Sequence, residues 1–188
     1  MKTPPTSRRR VLAAAGAATF AGCSRLGGEP SYGPADLELA LDVACTDDDY
    51  GDESVVTLSW EWQSDDGGTD PRDAALIYWD SDKWTYVGTT TGERVEFETR
   101  AQNGGADGVR FRHDDGAADA STRYHATVTL DPAGGFDPET RNVYGEFVHV
   151  RDQADGTPDE GLFGDLDTEW DVAESNAEAG RACLEEES

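Results

Sequence analysis

The sequence predicts an all-β fold: an antiparallel β-sandwich of about eight strands with a short C-terminal helix. Three observations predict it. Apolar and polar residues alternate through most of the stretch from Leu37 to Val150. Glycine- and aspartate-rich segments, such as Gln102–Gly105 and Asp114–Gly116, break that alternation at short intervals. Only after Asp152 does the apolar spacing lengthen to three and four.

In the first run, Leu37, Leu39, Leu41, Val43 and Cys45 alternate with Glu38, Ala40, Asp42 and Ala44, the pattern of a half-buried strand. Val56, Leu58, Trp60 and Trp62 repeat it against Val55, Thr57, Ser59 and Glu61. Ala74–Trp79 and Trp84–Val87 flank the turn-rich Asp80-Ser81-Asp82-Lys83, which reads as a hairpin. That hairpin sets Trp79 opposite Trp84 and Ile77 opposite Tyr86. Four further runs follow, around Val95 and Phe97, around Val109 and Phe111, from Tyr124 to Leu130, and from Val143 to Val150. Beyond them Leu162, Leu166, Trp170, Ala173 and Ala177 form a helical stripe, with Asp167 or Thr168 placed to cap its start.

A tryptophan-bearing second strand, a central hairpin and a late tyrosine-bearing strand together resemble immunoglobulin-like and fibronectin-III-like sandwiches. Tyr124 after Asp119-Ala120-Ser121 is similar to a tyrosine corner, although Ala126 stands where an immunoglobulin domain has cysteine. The resemblance implies an architecture and no function.

The chain's 188 residues carry 40 acids against 15 bases, a net charge of −25. Four of those bases, Lys2, Arg8, Arg9 and Arg10, lie in the first 22 residues, so the remaining 166 carry −29. Such a charge repels nucleic acid and anionic membrane surfaces, so neither is expected as a direct partner. Disorder is a poor reading of the charge, because five Trp, six Tyr and six Phe sit mostly in the alternating runs. A folded domain with a densely anionic surface remains. Aspartate exceeds glutamate, and only Lys2 and Lys83 are lysines, a composition that resembles proteins of salt-in haloarchaea.

The N-terminus reads as an address. Ser7-Arg8-Arg9-Arg10-Val11-Leu12 precedes an apolar run to Ala21 that is about half the ~20 residues a membrane span needs. The Arg8-Arg9 pair with Ser7 and Leu12 resembles a twin-arginine export signal, with Val11 where that family usually has Phe. Phe20-Ala21-Gly22-Cys23 resembles a lipobox, with Phe20 in place of Leu. The resemblance implies cleavage before Cys23 and a lipid on its thiol, which anchors the protein at the outer face of the cell membrane. Residues 1–22 are then the signal, residues 23–36 a Gly/Pro/Ser-rich tether, and residues 37–188 the domain. A tether of that length spans about 20 Å.

The chemistry-bearing residues are few. With Cys23 consumed, Cys45 and Cys183 are left as an even pair outside the cytoplasm, where disulfides persist, and we expect them to be joined. Copper electron transfer is excluded as an expectation: Met1 is the only methionine, and neither Cys45 nor Cys183 has a histidine nearby in sequence. His113, His125 and His149 lie on separate strands and read as partly exposed residues rather than a metal site. Cys45–Glu53 is acidic, but Gly51 falls one place early for a calcium loop and the distal Glu is missing. The sequence has no G-x-S-x-G, H-E-x-x-H, P-loop or C-x-x-C. No cofactor or metal is expected. Trp79 and Trp84, at the hairpin tip, are the candidate exposed platform for a glycan or a surface protein. The expected function is a membrane-anchored binding or interaction module. The alternative is an enzyme, or an enzyme accessory, acting on an extracellular polymer with acids as general acid and base.

Overall fold

The computed structural model describes residues 33–46, 53–63, 72–114, 122–152, 167–177, 179–181 and 183. They form nine strands: β1 (Leu37–Cys45), β2 (Ser54–Trp62), β3 (Asp73–Asp80), β4 (Trp84–Thr91), β5 (Val95–Asn103), β6 (Ala106–His113), β7 (Arg123–Pro132), β8 (Val143–Asp152) and β9 (Asp167–Asn176). All pairings are antiparallel, in a four-stranded sheet ordered β1-β2-β7-β4 and a five-stranded sheet ordered β5-β6-β3-β8-β9. The all-β sandwich is therefore as the alternation predicts.

The core lies between the sheets and takes the apolar parity of each strand. Val56, Leu58 and Trp60 from β2 meet Ala75, Ile77 and Trp79 from β3, with Val109, Phe111, Val128, Leu130 and Phe147 around them. Trp60, Trp79, Phe111 and Phe147 are among its largest fully buried side chains. A second, smaller buried cluster of Ala74, Leu76, Val148 and Val150 sits on the outer face of the five-stranded sheet.

Two sequence expectations are corrected. Residues 74–87 are not a hairpin: β3 pairs with β6 and β8, while β4 pairs with β7 in the other sheet. The turn at Ser81–Lys83 carries the chain across the sandwich, so Trp79 stacks on Tyr86 (centroids 6.3 Å apart, planes 3° apart) and not on Trp84. A turn of this composition reverses the chain without deciding which sheet receives it.

The second correction concerns the C-terminus. Among the described residues there is no α-helix; residues 167–176 form β9, paired with β8 from Val143↔Asn176 to Asp152↔Asp167. Val172 packs against the main core, while Asp171, Ala173, Glu174 and Ser175 are exposed. The exposed edge of β8 offers a full ladder of backbone partners, which a short isolated helix cannot match. The chain then makes a 3-10 turn, Ala179–Arg181, against a second one at Pro138–Thr140. Ala179 is fully buried there. A Cβ on Gly180 would collide with the Pro138 carbonyl oxygen and stand 2.7 Å from Arg141 Cβ, so only glycine fits.

The β5–β6 connection obeys the turn chemistry read from its sequence. Gly104 (φ 61°) and Gly105 (φ 100°) supply the two left-handed positions of a tight two-residue hairpin. Further along β5 the register slips between Phe97 and Thr99, leaving Glu98 as a bulge. Glu98 accepts hydrogen bonds from Arg110 Nε and Arg112 Nε, each at 2.7 Å. Past the bulge, Arg100 pairs with the core residue Val109 and lies 4.4 Å over the Tyr86 ring, ion-paired to buried Asp107. One extra residue thus turns an arginine from the outer face to roof the open flank of the core.

Candidate functional site

The two tryptophans expected as a surface platform are core residues. Trp79 is 1% exposed and Trp84 is 2% exposed. Trp84 donates its indole N–H to the Asn142 carbonyl at 3.3 Å, and Arg141 covers its ring at 6.0 Å. Trp60 and Trp62 are buried as well. None of these four tryptophans offers a surface to a sugar.

Two of the histidines, His113 and His149, also depart from the expected partial exposure, and β-pairing explains why. His113 of β6 and His149 of β8 both stand in register beside Asp73 of β3, His113 by direct pairing and His149 one step beyond Ala74↔Val148. All three belong to the inner face. Asp73 is fully buried and accepts from His149 Nδ1 at 2.8 Å and from the Val150 backbone N–H at 3.2 Å. This bond ties β3 to β8 at one end of the sandwich and fixes their register. His113, fully buried, sits in an aromatic surround: Tyr124 at 4.5 Å, Trp60 at 5.3 Å and Phe147 at 6.2 Å between ring centroids. Burial pushes its pKa down to about 4, overriding the nearby Arg94 carbonyl and Asp114, which favour the charged ring. His125, by contrast, is exposed on the outer face of the four-stranded sheet. The three histidines do not converge, and among the described residues no group of three or more His, Cys, Asp or Glu could hold a metal ion.

Cys45 and Cys183 form a disulfide across a separation of 138 residues, with a Cα–Cα distance of 5.1 Å. Ser54 Oγ lies 3.4 Å from Cys183 Sγ. The bond fastens the tail that follows β9 to the end of β1. Arg8, Arg9 and Cys23 lie outside the described residues, as do Asp47–Asp52 of the acidic loop, Asp119–Ser121 of the tyrosine-corner motif, and Leu162 and Leu166 of the helical stripe. No helix among the described residues is long and apolar enough to cross a membrane.

The two outer faces differ. The five-stranded sheet carries the Glu98–Arg110–Arg112 cluster and a stacked pair, Tyr78 and Tyr144 (centroids 5.1 Å apart, planes 14° apart). Glu146 shares that face; burial, then Asp171, raise its pKa. The same face carries the fully buried Leu76. The four-stranded sheet presents short side chains in register. One row is Ala44–Val55–Thr129–Gly88, and the next is Asp42–Thr57–Thr127–Thr90. Thr57 and Thr127 hydroxyls meet at 3.3 Å in its centre. These outer faces were not distinguished in the sequence, because strand parity separates in from out but does not say which strands are neighbours.

No family model matches the chain, and no curated protein matches it. Among solved structures it is similar to the sixth cohesin of the Acetivibrio cellulolyticus scaffoldin B, at 15% identity and a TM-score of 0.39, covering 60% of this chain and 82% of that one. A Clostridium thermocellum cohesin, described in a Coh-OlpC-Doc435 complex, gives 15% identity and a TM-score of 0.39 over 64% of this chain and 81% of that one. AvmM, described as catalysing macrocyclization in alchivemycin A biosynthesis, gives 13% identity and a TM-score of 0.39 over 73% and 86%. Neither partner nor reaction passes from these proteins to this chain.

Proposed function

We propose that the chain is an exported lipoprotein, anchored through a lipid on Cys23 to the outer face of the cell membrane. Its sandwich serves there as a binding or interaction module. The observation that carries the reading is the Cys45–Cys183 disulfide. It suits an oxidising compartment outside the cytoplasm, and of the three cysteines it leaves Cys23, in the lipobox-like stretch, outside the bond. The 3-10 turn Pro34–Asp36 is tied to the end of β2 by Gln63 N–H to Asp36 O at 2.8 Å. The tether therefore enters a firmly held corner of the sandwich. The partner is a surface protein or glycan, met elsewhere than at the buried Trp79 and Trp84.

The test is fractionation of expressing cells. Arg8→Lys with Arg9→Lys is expected to leave the protein inside the cell with its signal uncleaved. Cys23→Ser is expected to release the domain from the membrane fraction. Membrane retention of a cleaved Cys23→Ser protein would sink the lipid anchor.

The anionic surface makes a separate prediction. At molar salt the Debye length is about 3 Å, and self-repulsion of a −29 domain is largely screened. The melting temperature is expected to fall by several degrees between molar salt and ~0.1 M, where the Debye length is ~10 Å. A flat melting temperature across that range would contradict adaptation to a high-salt solvent.

A further inference from the structure

We propose that the free edge of β4 is a peptide-docking site, to which an extended segment of a partner protein adds as a further strand of the four-stranded sheet. The proposal rests on the reading of the sandwich as a binding module, and it names the site and the class of partner. The first observation is the edge itself. β4 ends the order β1-β2-β7-β4, and among the described residues it pairs with β7 alone. No described backbone group bonds Trp84–Thr91 outside that ladder. Backbone N–H and C=O groups at strand spacing are matched in full by another extended backbone.

The second observation is charge. β4 lacks the charged side chains that ordinarily guard such an edge. The other three edge strands carry them: Glu38 and Asp42 in β1, Glu96, Glu98 and Arg100 in β5, and Asp167, Glu169, Asp171 and Glu174 in β9. Trp84–Thr91 has no charged residue, in a chain that is 29% charged. From Trp84 to Arg94, which includes the following turn, one acid, Glu93, stands against one base, Arg94. Across the flank the Arg100 side chain is 42% exposed, while its partner Asp107 is buried. A neutral or acidic peptide meets less repulsion here than a surface of average charge offers.

The third is apolar contact. β4 and β5 are edges of the two sheets on one flank, since Arg100 of β5 covers Tyr86 of β4. Two of the three large hydrophobics exposed among the described residues lie there: Val87, 48% exposed at the β4 bulge between Tyr86 and Gly88, and Phe97, 50% exposed on β5. Phe97 has the core parity of Val95, but no described strand continues the sheet beyond β5 to cover it. A strand laid on Gly88–Thr91, the regular stretch after the bulge, extends the sheet along this flank and sets an apolar side chain against Phe97. A sugar finds no open ring in Tyr86, which lies between Trp79 and Arg100. The occupant is therefore a short polypeptide segment, uncharged or acidic, with β-branched or apolar residues at alternate positions.

The test is residue-level hydrogen exchange of the full chain at ~2 M salt, with and without the peptide acetyl-Thr-Val-Thr-Val-Thr-Glu-amide at ~1 mM. Successive residues of a strand turn their N–H groups to opposite sides, so of Thr89 and Thr90 one faces β7 and the other the open side. The peptide is expected to slow exchange of the outward amides in Gly88–Thr91 at least about tenfold, and to leave β1, β5 and β9 unchanged. Of Thr89→Pro and Thr90→Pro, the variant at the outward position keeps the wild-type circular dichroism, since an edge strand tolerates proline there. That variant is expected to bind the peptide at least about tenfold more weakly, and Phe97→Ser several-fold more weakly. Should both proline variants unfold, the wild-type exchange pattern and Phe97→Ser decide. Unslowed β4 amides overturn the proposal. So does a folded proline variant of unchanged affinity, or maltohexaose slowing these amides where the peptide does not. Slowing confined to β1, β5 or β9 overturns the assignment to β4 and leaves the binding-module reading standing. That reading has its own measure, cross-linking on intact cells at native salt, and fails if no partner is found.

Discussion

Replacing Cys45 and Cys183 together by alanine is expected to cost about 5 kcal/mol of folding stability, the largest effect of any two-residue change proposed for this chain. The size follows from the loop. A bond spanning 138 residues removes about that much free energy from the freedom of the unfolded chain, an upper value that residual structure lowers. The folded state loses too, because the bond holds the tail whose Ala179 is buried and whose Gly180 N–H donates to the Arg141 carbonyl at 3.2 Å. For a domain of this size the corresponding fall in melting temperature is about 10–20 °C. Denaturant unfolding of the oxidised wild type, the reduced wild type and the double alanine variant in molar salt measures it. A double variant within about 1 kcal/mol of the oxidised protein would show that the tail is held by packing alone.

Acid is expected to weaken the fold through His113, and the direction is set by burial. The folded ring titrates at about 4, whereas an unfolded histidine titrates near 6.5. Between those values the unfolded chain binds a proton that the native core refuses, so stability rises with pH and is lost as pH falls from 6.5 towards 4. The full loss is about 3 kcal/mol, and about 2 kcal/mol is gone by pH 5. Glu146, raised by burial, titrates with the opposite sign: its protonated form is favoured in the fold, so it opposes part of the loss at low pH. The variant to compare is His113→Gln, which keeps a polar group of similar size and removes the titration. Unfolding free energies at pH 7 and pH 5 should differ by about 2 kcal/mol less in the variant than in the wild type. Equal pH slopes in the two proteins would remove His113 from the acid response.

Most of the strand layout was legible because a sandwich writes period two into every strand with one wet face. β1 and β2 are clear cases, where Leu37 to Cys45 and Val56 to Trp62 take the core parity throughout. β9 was not legible. It is an edge strand with Val172 directed to the core and Asp171, Ala173 and Glu174 in solvent, so two alanines and a tryptophan could be fitted to a helical stripe. Its state is decided by the free edge of β8, which is tertiary information. The Trp79 and Trp84 error has a related source. Trp79 shares the parity of Ala75 and Ile77, a signal of burial that was present, but the assumed hairpin assigned the tip to solvent. For His113 the signal was also present, in its parity with Phe111. Asp73 carried the same signal through Ala75 and Ile77, yet a buried aspartate is improbable from composition until its partner is known, and His149 lies 76 residues away. The disulfide was reached by setting the cysteine count against the lipobox-like stretch at Cys23, an argument independent of strand periodicity.

The disulfide also decides how the molecule answers a pulling force. Load applied between the N-terminal side of Leu37 and any point beyond Cys183 passes along β1, from Leu37 to Cys45, and then straight through the covalent bond. The chain between Cys45 and Cys183 is bypassed. Eight of the nine strands therefore carry no tension, and the nine residues of β1 that remain in the load path are already held near full extension, so pulling can lengthen them by only a few ångströms. Even that requires sliding β1 lengthwise past β2, against the whole ladder from Leu37↔Trp62 to Cys45↔Ser54 at once. A domain built this way yields almost no length and behaves as an inextensible link.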